Sequence, residues 1–357
     1  MKLHRFLAAS ALLIVPLMLA GPSPSSAEPL RIGVSVPLTG PAANFGVGVK
    51  NALLLAQEKF DPKGDVQFTL EDNAYQNTQV VSSYRKLRDI DKVNALLVLG
   101  SGASVVLADQ MEKERVPSIA LAVTTSVPGS RAWMMKIWED ADETANVLVA
   151  ELKRRKLQRV AIASIEIEAA ENIKAKFKAR YQGELIDVGS LPPQENDLRS
   201  IATNAIAAKP DVIFSNFFGQ SHESFIVRLR EFGYNGPIMA QSAICEAPGA
   251  QSERTRPEFD GVWFASADDL AAEPFYQQYR SRFGRQGAFF GAAIAYDAAA
   301  IMIVAAQRGW KGDTPLTVST DGIDTLLPYS SQGRTLTPSM VIKEFRQGSI
   351  VLANGKE

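Results

Sequence analysis

The feature that most constrains this chain is its regular alternation of short apolar runs with helical periods, beginning at Leu30. "LRIGVSV", "VQFTLED", "ALLVLG" and "PSIALAV" are separated by helices expected over Gly46–Phe60, Thr78–Ile90 and Ser104–Glu114. Near-continuous apolar strands spaced by amphipathic helices bury both faces of a parallel sheet. A second series follows the helix expected over Ala141–Arg155: "RVAIASI", "ELIDVGS", "DVIFSNF", "PIMAQS" and "GVWFAS", with helices over Ala169–Tyr181, Leu198–Ala208 and Glu223–Phe232. The reading is α/β, two doubly wound parallel-sheet lobes.

Size agrees with two lobes. Residues 1–27, "MKLHRFLAASALLIVPLMLAGPSPSSA", carry Lys2 and Arg5 before an apolar run broken by Pro16 and end in small residues, the layout of a cleaved secretory signal. No Cys closes that segment for lipid attachment, and Glu28 is the expected first mature residue. The remaining 330 residues exceed one ordinary core. Helices expected over Pro274–Phe283 and Ala288–Arg308 come after the second sheet, so the chain is expected to revisit its first lobe. The boundaries read as 28–141 plus 269–327 for the first lobe and 142–268 plus 328–357 for the second. "GAAIAYDAAAIMIVAAQRG" is apolar enough for a membrane, but Asp297 and its small residues point to a packed interior helix.

Charge and rare residues exclude several chemistries. Without Lys2 and Arg5 the chain has 36 basic against 39 acidic residues, with no basic patch for nucleic acid. Cys245 is the sole cysteine, read as buried and structural. His222 is the only histidine after the signal, read as solvent-facing at a helix start, and a Ser221–His222 hydrolase lacks a nucleophile elbow. Asp72, Glu166, Glu168 and Asp297 read as surface charges or helix caps. No cofactor or metal is expected.

Ligands of open α/β sheets bind beyond the carboxyl ends of the strands. Three such ends are rich in small residues. "IGVSVPLTGPAANFG" admits two readings for Phe45, an apolar ligand wall or part of the core. "GSGAS" opens a helix whose free N–H groups and Ser101 hydroxyl suit a carboxylate, or is a plain helix cap. "AVTTS" from Ala122 brings exposed main chain and the Thr124 hydroxyl toward the same ligand.

Across the mature chain, "IGVSVPLTGPAANFG", "LEDNAYQNTQVVSSYRKL", "ALLVLGSGASVVLADQMEKERVPSIALAVTTS", "KPDVIFSNFFGQSHESFIVRLREFGYNGPIM" and "AIAYDAAAIMIVAA" together resemble the type I periplasmic solute-binding proteins of the branched-chain amino acid class, which serve ATP-binding-cassette importers. The resemblance implies three crossovers between the lobes and a first-lobe ligand set of Ser101, Ala122 and Thr124 beside Phe45. In the second lobe it implies Phe218 where a Tyr is frequent, Ala169-Ala170 in place of a Tyr-Gly pair, and Ser242 where an acid usually meets the ligand ammonium, with Glu246 the next acid. The implied protein is a periplasmic monomer that closes on a small amino acid or organic acid and presents it to a membrane permease, with presentation to a membrane sensor as the alternative.

Overall fold

A computed structural model of the chain describes residues 28–40 and 42–353. The expected signal, 1–27, lies outside the described residues. The first lobe is built on β1 (Leu30–Val36), β2 (Val66–Asp72), β3 (Ala95–Leu99), β4 (Ser118–Leu121) and β5 (Met134–Ile137), with α1 (Ala43–Phe60), α2 (Asn77–Arg85) and α3 (Ser101–Glu114) between them. The second repeats the plan with α4 (Ala141–Arg155), β6 (Arg159–Ile165), α5 (Glu168–Arg180), β7 (Glu184–Leu191), α6 (Arg199–Ala207), β8 (Val212–Asn216), α7 (Gln220–Glu231), β9 (Ile238–Ala240), α8 (Pro248–Gln251) and β10 (Trp263–Ala267). The chain then adds α9 (Glu273–Phe283), α10 (Phe290–Gln307), β11 (Tyr329–Gln332), β12 (Thr335–Pro338), β13 (Met340–Arg346) and β14 (Ser349–Leu352).

The sheets run β11-β12-β5-β4-β3-β1-β2 and β14-β13-β10-β9-β8-β6-β7. In each, the winding reverses beside the first strand of the lobe: β1 lies between β2 and β3, and β6 between β7 and β8. Those two reversals open crevices at the carboxyl ends, where neighbouring loops leave in opposite directions. The chain passes between lobes after β5, after β10 and at Ser339.

The last passage corrects the boundary expected at 328. β12 pairs in parallel with β5, Thr335 opposite Lys136 and Leu336 opposite Ile137, so the chain stays in the first lobe through Pro338. Only the hairpin β13–β14 belongs to the second sheet, against β10. Alternation in the tail marks strands but not the sheet they join.

Helix α10 is buried continuously from Phe290 to Ile303 and packs on α1. Asp297 on that helix is not the expected surface charge. It is fully buried and accepts hydrogen bonds from the N–H groups of Leu326 (2.7 Å) and Leu327 (3.1 Å) and from the Tyr329 hydroxyl (2.8 Å). Burial nevertheless pushes its pKa up to about 7 against the pull of those donors. The contacts fasten the segment leading to β11 onto the first lobe. Asp72 is likewise a clamp: it accepts from the N–H groups of Leu38 (2.8 Å), Thr39 (3.3 Å) and Ala74 (2.8 Å) and from the Thr39 hydroxyl (2.6 Å). It holds the loop after β1 in place, and α1 starts so close beneath that loop that a Cβ on Gly46 would fall 1.8 Å from the Pro37 carbonyl oxygen.

His222 is also corrected. It is fully buried, with Nδ1 3.0 Å from Ser215 Oγ and Nε2 3.3 Å from Gln241 Nε2, and burial pushes its pKa down to about 3. The Ser221–His222 pair of a hydrolase therefore does not form. Cys245 is buried in the same lobe, and its thiol pKa is raised by that burial.

Two outcomes test this packing. Asp297→Ala strands three buried donors and should cost about 2 kcal/mol or more in urea unfolding; an unchanged midpoint would contradict the clamp. For His222, a folded pKa below the unfolded value means that its contribution is complete above pH ~6.5 and is lost as pH falls toward ~3. The wild type should therefore lose about 2 kcal/mol between pH 7 and pH 5 relative to His222→Gln. Parallel stability curves would contradict its neutral burial.

Candidate functional site

The two crevices face each other, and a cavity of about 80 Å³ lies between them. Its first-lobe wall comes from the ends of β1, β3 and β4 and from the passage after β5. Phe45, on the first turn of α1, meets Phe289 edge-on with centroids 5.0 Å apart and lies 6.3 Å from Trp138, which packs on Phe290 at 5.5 Å. Phe45 thus serves both of its expected roles, cavity wall and partly buried core. Leu99, Leu121 and Val123 complete the apolar side. The second lobe contributes Ile165 at the end of β6 and Ile167 just after it, Ala169 on α5 and Phe218 after β8.

Tyr75 reaches the cavity through an uncommon backbone. Ala74 and Tyr75 both have positive φ, 44° and 58°, and the preceding side chains compensate: Asp72 accepts the Ala74 N–H and Asn73 the Tyr75 N–H at 2.9 Å. The ring then lies over Gly100, where a Cβ would come within 2.8 Å of it and where φ is 110°. Glycine at the head of α3 is required on both counts.

The expected ligand set is divided by the structure. Phe45, Ser101, Phe218 and Glu246 line the cavity; Ala122, Thr124 and Ser242 are buried behind its wall. Ser101 Oγ accepts the N–H groups of Val123 (3.1 Å) and Thr124 (3.2 Å), so its oxygen braces the loop and its proton stays available to a ligand. Every polar group of Thr124 is engaged: the N–H by Ser101, the carbonyl by Lys136 Nζ at 3.1 Å, and the hydroxyl by Glu168 Oε1 at 3.0 Å. Ser242 serves Glu139, a buried acid that also accepts the Ala267 N–H at 2.6 Å and whose pKa burial pushes up to about 7.

Glu246 is the polar group most exposed to the consequences of burial. It is 1% accessible, one carboxylate oxygen takes the Gly219 N–H, and Oε1 has no partner. Desolvation raises its pKa well above the ordinary glutamate value. Such an orphaned oxygen on a cavity wall is suited to a hydrogen-bonding group on a bound molecule. Ser221 also lines the cavity, with no help from His222. Among the described residues no group of three or more His, Cys, Asp or Glu side chains is placed to hold a metal ion.

Sequence reasoning missed Tyr75, Trp138 and Pro193, which line the cavity too. "KIWED" holds the end of β5, a strand too short to stand out, and recognising it would have marked Trp138 as a strand-end residue. Two Asx residues before Tyr75 were the available signal for its turn.

A profile of the periplasmic binding protein family matches residues 29–322. Leu/Ile/Val-binding protein homolog 7 of Brucella suis biovar 1 is 24% identical over 269 residues, covering 70% of this chain and 65% of that protein, just under two thirds of its length. Among solved structures, the leucine-binding protein LivK of Thermotoga maritima MSB8 superposes with a TM-score of 0.75 at 19% identity, over 90% of this chain and 97% of that one. The solute-binding protein of an ABC transporter from Rhodopseudomonas palustris BisB5, in complex with 3,4-dihydroxybenzoic acid, superposes at 0.76 with 18% identity, over 91% and 97%. The matched profile and the shared two-lobe architecture make this chain a member of the periplasmic binding protein family, in the type I class that includes the Leu/Ile/Val-binding proteins.

Proposed function

We propose that the protein is a periplasmic receptor that captures a small organic solute with an apolar body and hands it to an ATP-binding-cassette importer. The observation that carries this reading is the cavity at two facing strand-end crevices, walled by Phe45 and Trp138 from one lobe and by Phe218, Ile165 and Ile167 from the other. A molecule touching both walls favours the closed arrangement by the difference in its contacts between closed and open states. Direct hydrogen bonds also cross the cleft near the cavity, Asn44 Nδ2 donating to the Glu246 carbonyl at 3.2 Å and the Thr124 hydroxyl to Glu168 Oε1 at 3.0 Å. A permease that recognises the closed shape then receives loaded protein in preference to empty protein.

The relatives support a small organic ligand. One is named for leucine, isoleucine and valine, and one solved neighbour holds a dihydroxybenzoic acid. Each of those molecules joins an apolar body to polar ends. Here Ala169 leaves room beside Phe218, which suits a branched or aromatic body, and the Ser101 hydroxyl proton and Glu246 Oε1 are the groups ready to take polar ends. Of the carboxylate set expected from sequence, only Ser101 lines the cavity.

Native mass spectrometry of gently purified periplasmic protein should show a small organic molecule that leaves on denaturation. Ala169→Tyr, which fills the space beside Phe218, should abolish its retention while the protein stays folded. Phe218→Ala should weaken binding about tenfold to a hundredfold, for about 1.5 to 3 kcal/mol of lost apolar burial. Full retention of the molecule by Ala169→Tyr would remove the cavity from the function.

A further inference from the structure

Where a carboxylate-binding receptor would seat its ligand's acid, this protein has placed an acid of its own. Glu168, the first residue of α5 in the second lobe, reaches across the cleft to the first. Its Oε1 accepts the Thr124 hydroxyl at 3.0 Å and lies 3.5 Å from Ser126 Oγ. The side chain lies over the first turn of α3, because a Cβ on Gly102 would come within 4.0 Å of Glu168 Cβ. That turn has no side-chain cap, so its N–H groups form a positive end facing the glutamate. One turn along α5, Asn172 Oδ1 accepts the Thr125 N–H at 3.2 Å, which fixes the helix against the same loop.

We infer that Glu168 fills the first lobe's carboxylate position and that the ligand is a neutral or cationic molecule, an amide, alcohol or amine on an apolar body. The inference rests on the receptor reading above and narrows its ligand class.

The cavity supplies the independent observation. Among the described residues no Lys, Arg or His lines it, and its one titratable acid is Glu246. The nearby cation, Lys136, is committed to Asp140 at 2.5 Å and to the Thr124 carbonyl. An anionic ligand would find no Lys, Arg or His side chain on the cavity wall, and Glu168 already occupies the Thr124 hydroxyl. Glu246 Oε1 has no partner, and its carboxyl, whose charged form burial disfavours, can pair with an amide or hydroxyl group, each of which both donates and accepts. Tyr75 is consistent with this: burial, with the charges of Glu246 and Glu168, holds its phenol pKa above the ordinary value, so it remains a neutral hydroxyl.

Two variants and one small probe test the assignment in the refolded, ligand-free chain. Glu168→Ala empties the position, and Glu168→Gln keeps an oxygen for Thr124. Small-angle scattering should show Glu168→Ala more open than the wild type, with acetate closing it again, whereas acetate leaves the wild type and Glu168→Gln unchanged. In calorimetry with phenylacetamide, phenethylamine and phenylacetate, the wild type should prefer the amide or amine. Glu168→Ala should shift the preference toward phenylacetate by about tenfold or more. Acetate acting equally on all three proteins, or failing to act on Glu168→Ala, would overturn the inference, as would wild-type affinity for phenylacetate equal to that for its amide. The scattering arm needs no natural ligand, so the latch can fail while a co-purifying solute still supports the receptor, and the reverse.

Discussion

Everything in this molecule depends on the handedness of strand–helix–strand connections. A parallel sheet wound in both directions from its first strand must leave a crevice where the winding reverses. Both lobes reverse in the same way, beside β1 and beside β6, and three passages of chain hold the two crevices face to face. The loop after β1 is clamped by Asp72, the head of α3 is cleared by Gly100, and the loop after β4 is braced by Ser101. None of these side chains needs a ligand to take its position. The first-lobe wall of the cavity is therefore largely held by the chain's own contacts.

The polar groups of the cleft divide by whether they are already satisfied. Thr124, Lys136 and Asp140 complete one another, and Glu168 completes Thr124 from across the cleft. Glu246 is satisfied by half. A buried carboxyl with one backbone donor and no cation is costly in its charged form, which is why its pKa rises. A molecule that supplies the missing hydrogen bond would remove part of that cost. The cavity wall is otherwise mostly apolar, so this carboxyl is the polar exception on it.

Much of the fold was legible because it depends on local pattern. The apolar runs that became β1, β3, β6 and β8 stood out, and the helix expected over Ala141–Arg155 has those limits in the structure. The cavity residues Phe45, Ser101 and Phe218 could be found because strand ends are where an α/β sheet binds. What stayed hidden was partnership. Thr124 looks like a free hydroxyl until α5 brings Glu168, 44 residues on, within 3.0 Å. His222 looks like a helix-start residue because a sequence does not show Ser215 and Gln241 closing over it. Asp297 lies within an apolar helix with no sign in its neighbours that Leu326, Leu327 and Tyr329 will supply its donors.

The passages between the lobes show how the same residues can be read twice. Glu139 sits on the first passage and accepts the N–H of Ala267, at the mouth of the second. Asp269, on the second, takes Lys343 Nζ at 2.5 Å and the Tyr276 hydroxyl at 2.8 Å, and Lys343 lies on β13, just beyond the third. Ser242, aligned by resemblance with a ligand-binding acid, belongs to this group through Glu139. A small uncharged side chain suits that place: an acid there would set a second carboxyl against the buried Glu139. A serine rather than an acid at this position is thus accounted for by its contact with a buried acid on the first passage.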